Sequence, residues 1–323
     1  MPYKIEHWFR FWVVGLVKRF EFVFDERIRA GSNEHFHHFL LGYLLPSILE
    51  IEALRPSDDD LFYFNSCGPV MDVVLAEVCD ALNLRYEILH KDMQDMAEHH
   101  IRVIPQRWDS ALLNPHLKKA ATPRFEKLRN KVMEYPDLVR FRLSDDLEPK
   151  LRHLLGKSKQ VLTKVFDLET ELIEQDAVGP LLLLKRSDAE EFYSEGGSAR
   201  FSGYGVTRRS LQGLDKVAAE LNAAGISAQV FEPGRHTLKE QIRAFHYCSG
   251  MIGIRGAEFA NLVWVRPGAK VIMVTPDSMK KPSVQRFLGK VMQVEFSEVT
   301  VDSDHPDLSS ALSVLATEVV HAG

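Results

Sequence analysis

The chain has 323 residues and a formal net charge of −5, from 40 basic and 45 acidic residues. That balance argues against a protein built mainly to bind nucleic acid, and a hydrophobic fraction of 45% describes a globular chain with a sizeable core. The three cysteines, Cys67, Cys79 and Cys248, are scattered without CxxC spacing, which points away from a disulfide framework or zinc site and towards a reducing, cytoplasmic setting. Glu6, His7 and Arg10 interrupt the N-terminal apolar stretch, so no secretory leader is expected, and no apolar run approaches the roughly 18 residues of a membrane span.

Residues 4–24 read KIEHWFRFWVVGLVKRFEFVF. Trp8, Phe9, Trp12, Val13, Leu16, Val17 and Phe20 recur at helical spacing among Lys4, Arg10, Lys18 and Arg19. This suits a core helix or a basic amphipathic helix in peripheral contact with the inner face of a membrane. Alternation about Glu21 leaves a strand from Phe20 onward as another reading. Next, Ser32 or Asn33 is placed to cap a helix with Glu34 or His35 in its first turn and Phe36, Phe39, Leu40, Tyr43 and Leu44 on its apolar face. His35, His37 and His38 crowd its start. A helix N-terminus disfavours a protonated imidazole, so a histidine here stays neutral and is able to act as a base. Acidic or thiolate partners at ligand spacing are missing, and no metal site is expected.

From Asp58 the pattern becomes α/β. Asp58, Asp59 and Asp60 read as a solvated loop. Leu61 to Phe64 is a strand, Gly68-Pro69 a turn, Val70 to Leu82 a helix, Tyr86 to Leu89 a strand, and Ile101 to Ile104 a third strand. Residues 108–165 read as mostly helical, with a basic face able to meet solvent, an acidic acceptor or a membrane surface. A boundary near Gln175 to Pro180 divides the chain into an N-terminal domain (1–175) and a C-terminal domain (176–323).

Leu181 to Leu184 is a continuous apolar strand of the buried parallel type, with Lys185 and Arg186 at its carboxyl end, where such sheets bind ligands. A polar loop, Ser187 to Gly205, leads through Arg208 and Arg209 to a helix ended by Gly225. Ala228 to Phe231 is a strand, Thr237 to Tyr247 a helix, Met251 to Ile254 a strand, and Val271 to Val274 another. Between the last two, Gly253, Gly256 and Ala257 strip the turn of bulk and Arg255 sits within it, the arrangement in which a helix start and a guanidinium meet an anion. One further helix and strand follow in 277–300, and 307–320 reads as a closing helix. Strands alternating with helices predict a doubly wound parallel sheet.

The run from Leu181 to Pro276 resembles glycosyltransferase family 61. The resemblance rests on Lys185-Arg186, Arg208-Arg209, Glu232-Pro233, Gln241, Gly253-Ile254-Arg255-Gly256-Ala257, Asn261 and Pro267-Gly268, and more thinly on Asn33 to Pro46 with His38 at the family's characteristic histidine. Two positions depart from the family: Arg255 stands where histidine is usual, and Gly42 where aspartate is common. The resemblance implies an α/β fold of GT-B type, with two Rossmann-like domains and a cleft between them. It implies an inverting transferase that moves a sugar from a nucleotide-sugar donor to a glycan acceptor in bacterial surface or capsular polysaccharide synthesis. The donor, expected to be UDP-linked, would lie on Lys185, Arg186, Arg208, Arg209, Arg255, Gly256, Ala257, Glu258 and Asn261, with no cofactor and no metal. Fixed positive charge would then stabilise the leaving diphosphate. The base would be His38, with Glu34 or His37 as alternates. A polysaccharide pyruvyl transferase and a non-catalytic nucleotide-sugar-binding protein are the competing readings. A dehydrogenase is disfavoured, because no G-x-G-x-x-G follows a strand.

Overall fold

The computed structural model of the chain describes residues 17–23, 34–90, 101–103, 105, 108, 147–169, 178–188, 208–279 and 283–312. The expected features at residues 4–16, Ser32, Asn33, Ile104, 109–146, 189–207 and beyond 312 lie outside the described residues, as does half of the expected domain boundary.

Two parallel sheets organise the chain. The first contains β1 (Arg19–Phe22), β2 (Leu61–Asn65), β3 (Arg85–Leu89) and β4 (Ile101–Val103), in the order β3-β2-β1-β4. β1 is central. Phe20 stacks on Phe62 and Phe22 on Phe64, each pair with ring centroids 5.1 Å apart. Strand alternation therefore wins over helical spacing from Arg19 onward. Phe20 and Phe22 are core residues and cannot belong to a membrane-facing helix. The second sheet holds β5 (Gly179–Leu184), β6 (Ala228–Phe231), β7 (Cys248–Ile254), β8 (Lys270–Pro276) and β9 (Glu295–Val301), in the order β6-β5-β7-β8-β9. All its pairings are parallel, as the unbroken apolar run Leu181–Leu184 predicts.

The first helical segment starts as α1 (Phe36–Phe39), widens into a π turn (Leu40–Leu44), and continues as α2 (Leu45–Leu54). Pro46 explains the widening. Inside a regular helix its ring would clash with the carbonyl four residues back, at Gly42, and an expanded turn relieves that clash. Tyr43, fully buried in the π turn, donates to Phe22 O (2.8 Å) and accepts from Asn65 N (3.0 Å), tying the helix to β1 and β2. His35 is the N-cap of α1, so the helix begins one residue beyond the expected first turn. The aspartate run divides: Asp58 and Asp59 are exposed, whereas Asp60 is buried and accepts from Lys18 N (3.0 Å) and Ser57 N (2.9 Å).

The remaining helices are α3 (Pro69–Ala81), α4 (Leu147–Val165), α5 (Leu214–Ala223), α6 (Leu238–Tyr247) and α7 (Val284–Val291). α6 starts on a capping box in which Thr237 and Glu240 bond each other's backbone. Gly225, at φ 82°, follows α5 where the sequence places its end. α4 touches both halves of the chain. Arg152 donates to Val291 O (2.9 Å), Lys290 pairs with Glu148 (2.8 Å), and Lys159 donates to Trp264 O (2.7 Å). One continuous core runs from Phe20, Phe22 and Phe62 through Leu45, Leu151 and Leu155 to Leu182, Met251 and Met273. Because strand side chains alternate, Leu183, Ile252, Ile254 and Val274 fall on the far face of the second sheet, under α5. The fold is mixed α/β with parallel sheets, compatible with Rossmann-like architecture.

Candidate functional site

In the second sheet the chain runs from β5 outward to β6, then crosses back to β7 on the other side of β5. The point where the direction of winding reverses lies between β5 and β7. In open parallel α/β sheets this reversal point, at the carboxyl ends of the strands, is where a ligand crevice forms. Arg186 follows β5 and Arg255 follows β7, so the pairing of these two strands sets their carboxyl ends side by side.

Arg186 is buried at 9% exposure, and its Nε donates to Glu258 Oε1 at 2.9 Å. Its Nη1 reaches the carbonyl of Arg209 at 3.5 Å. Arg209 is 6% exposed, and its Nη1 contacts Met279 Sδ. Among the described residues its Nε–H has no hydrogen-bond partner. Burial, then the like charges of Arg208 and Arg186, push the Arg209 guanidinium down to about 10, against the opposite pull of Glu258 and Asp304. Arg208 is exposed at the rim. Arg186 thus bonds one carboxylate, Glu258, which also acts on Arg209 electrostatically and whose second oxygen is buried and without a partner among the described residues. Glu258 folds back over Gly256, and a Cβ at that position would collide with its carboxylate.

Arg255 occupies a different niche. It donates to Met279 O (2.7 Å) and lies 4.0 Å from Glu298, whose carboxylate also accepts from Thr275 Oγ1 (2.6 Å) and Ser283 Oγ (3.4 Å). It clamps the turn Asp277–Met279 against the sheet, beside Arg209. The helix start expected after the turn is a short 3-10 helix (Ala257–Val263), so the positive character of the site comes from side chains more than from a helix end. Asn261 is fully buried. Its amide donates to Gln241 Oε1 (3.1 Å) and accepts from Trp264 Nε1 (3.0 Å), which turns it inward to hold the 3-10 helix on α6. Lys185 is held by Glu232 at 3.2 Å, half-exposed at the edge of the crevice.

The histidines arrive from the other half of the chain. α1 packs on the 3-10 helix, so its start lies beside the turn that carries Glu258. His37 is buried, whereas Glu34, His35 and His38 are half-buried. The rings of His35 and His38 stand edge to face with centroids 6.1 Å apart. Burial first, then His38, Arg208 and Arg186, lower His35 to about 4, which holds it neutral near pH 7. Nothing local in the sequence marks Met279, Glu298 or Gln285, which donates to Gly256 O at 3.3 Å. Their positions follow only from where β8, β9 and α7 come to rest.

The family model for Glycosyltransferase 61 matches residues 36–272, a span that includes the histidine helix, all the arginines of the crevice and Asn261. The chain belongs to glycosyltransferase family 61. No match was found among curated proteins. As a family 61 member the chain falls in a class of sugar transferases. Among the described residues there is no cluster of three metal-ligating side chains, and no helix is long and apolar enough to cross a membrane.

Proposed function

We propose that this glycosyltransferase moves a sugar from a nucleotide-sugar donor to a hydroxyl of a glycan acceptor, with inversion at the anomeric carbon. The observation that carries this reading is the buried Nε–H of Arg209, without a partner among the described residues and set among Arg186 and Arg208 at the point where the sheet's winding reverses. A buried donor without a partner costs stability, and like charges close together cost more. A diphosphate would relieve both. As the sugar leaves, negative charge accumulates on the terminal phosphate, and guanidiniums already in place stabilise it without reorganising. These cations supply the charge that a divalent ion supplies in other transferases, hence a metal-independent reaction. Glu258, with one oxygen held by Arg186 and the other without a partner among the described residues, suits a ribose hydroxyl. Lys185 and Arg208 close the rim. Arg255 supports the floor through Met279 and Glu298.

The acceptor enters past the start of α1, in a GT-B-like arrangement of the two sheets. The family favours a bacterial surface or capsular polysaccharide as acceptor and the cytoplasmic face of the membrane as the place of work. A thermal-shift screen of UDP-, GDP- and dTDP-sugars against phosphoenolpyruvate tests the donor class. Binding at a hundred times Kd stabilises by about 2.7 kcal/mol. A shift with a sugar nucleotide, followed by an inverted anomeric signal in product NMR and turnover that survives EDTA, is the expected result. A shift with phosphoenolpyruvate alone would move the chain to pyruvyl transfer. Nucleotide binding without turnover would leave a binding protein.

A further inference from the structure

A second group of basic side chains lies at the opposite end of the sheet from the crevice. α6 ends at Tyr247 and β7 begins at Cys248, so His246 and Tyr247 stand at the amino end of β7, whereas Arg255 follows its carboxyl end. Seven extended residues set those ends roughly 20 Å apart, more than one diphosphate can bridge. At the amino end Lys159, from α4, donates to Trp264 O (2.7 Å), and the same carbonyl acts on the His246 ring. Arg266, two residues beyond Trp264, donates to Tyr247 O at 3.4 Å. The rings of His246 and Tyr247 stand edge to face with centroids 5.3 Å apart. Three segments thus gather Lys159, His246 and Arg266 around the carbonyls of Trp264 and Tyr247, and each of the three side chains is half-buried.

Most of their hydrogen-bonding capacity is unspent. An ammonium carries three donors and a guanidinium five, yet Lys159 makes its one bond to Trp264 and Arg266 its one bond to Tyr247. His246 Nδ1 is buried and without a partner among the described residues. No carboxylate among the described residues pairs with any of the three. Burial first, then Arg266, push the Lys159 amine down to about 8, against the opposite pull of Cys248. Two cations are therefore held together without an anion to offset them.

We propose that Lys159, Arg266 and His246 form a second anion site, separate from the crevice, which takes a phosphate group. Donors reach the site from three segments. A phosphate presents at least three oxygens in three dimensions and between one and two negative charges near pH 7, whereas a carboxylate offers two oxygens in one plane. Its oxygens meet the remaining donors of Lys159 and Arg266, and His246 in its protonated form. The same chemistry is supplied by a phosphate free in solution and by a lipid headgroup. The site stands or falls independently of the reading of the crevice.

The test is NMR on the full chain labelled with 15N-histidine, with the His246 signal assigned through His246→Gln. Inorganic phosphate is titrated in at constant pH and ionic strength, with sodium chloride as the control. The expected result is a saturable movement of the His246 signal with phosphate and none with chloride. Arg266→Gln and Lys159→Gln, each first checked by melting temperature, should weaken the phosphate Kd about tenfold or more. Both should leave the thermal shift with UDP-sugar unchanged, and Arg209→Met should leave the His246 response unchanged. Co-sedimentation with phosphatidylglycerol vesicles, against phosphatidylcholine alone, identifies the source. Pelleting that is lost in Arg266→Gln assigns the site to a headgroup; a phosphate response without such pelleting assigns it to free phosphate. No saturable movement of His246, the same Kd in both variants, or a response that disappears in Arg209→Met would overturn the proposal.

Discussion

At the scale of single residues, the crevice separates side chains that face a ligand from side chains that build the floor. Arg209 belongs to the first kind. It is buried among like charges with a donor unspent, so it costs stability in the ligand-free protein. Arg209→Met should leave the melting temperature unchanged or raise it, and should abolish the thermal shift with UDP-sugar; a retained shift would show that the anion binds elsewhere. Asn261 belongs to the second kind. Asn261→Ala strands Trp264 Nε1 and Gln241 Oε1 in the core, and should cost about 3 kcal/mol in urea unfolding. Both residues stand in one stretch of family resemblance. Their residue types mark them as polar and placed, but not which way they point. Direction depends on the neighbours that α6 and the 3-10 helix supply.

At the scale of elements, the helices were legible where local chemistry decides and illegible where packing does. The Thr237–Glu240 capping box and Gly225 are local, and α6 and the end of α5 fall where the sequence places them. β1 is not local. Helical spacing and strand alternation both fit Phe20 to Phe22, and only parallel pairing with β2 and β4 selects the strand. α6 also carries a contact no sequence pattern announces. Glu77, on α3, accepts from Leu238 N (2.8 Å) and Lys239 N (3.0 Å), capping the first turn of a helix 161 residues away. A carboxylate there satisfies two free amides and favours the positive end of the helix. Glu77→Ala should therefore destabilise by about 1–2 kcal/mol, read by urea unfolding, with Glu77→Gln intermediate because it keeps one acceptor.

At the scale of the whole molecule, charge and burial together set a response to acid. His35 and His246 are both held near 4, by burial first and then by neighbouring positive charge, from His38, Arg208 and Arg186 for His35 and from Lys159 and Arg266 for His246. In the unfolded chain each binds a proton near 6.5, so between about 6.5 and 4 the unfolded state takes up protons that the folded state refuses. Stability is therefore full above pH 6.5 and falls as pH drops towards 4. Urea midpoints at pH 7, 5.5 and 4 should decline in that order, and the decline should flatten in a His35→Gln/His246→Gln double variant. The sequence by itself determined the alternation of strands and helices, the parallel habit of Leu181–Leu184, the family, and the set of basic residues from which the crevice is made, because periodicity, turn chemistry and residue type are local properties. Only the tertiary structure decided the rest. The order β6-β5-β7 puts Arg186 beside the turn after β7, and the packing of α1 on the 3-10 helix brings His35 to the same corner. The placing of Arg255 on Met279 and Glu298 makes a support of a residue whose position alone suggested a ligand clamp. Those outcomes depend on contacts between residues far apart in the chain, which no local pattern encodes.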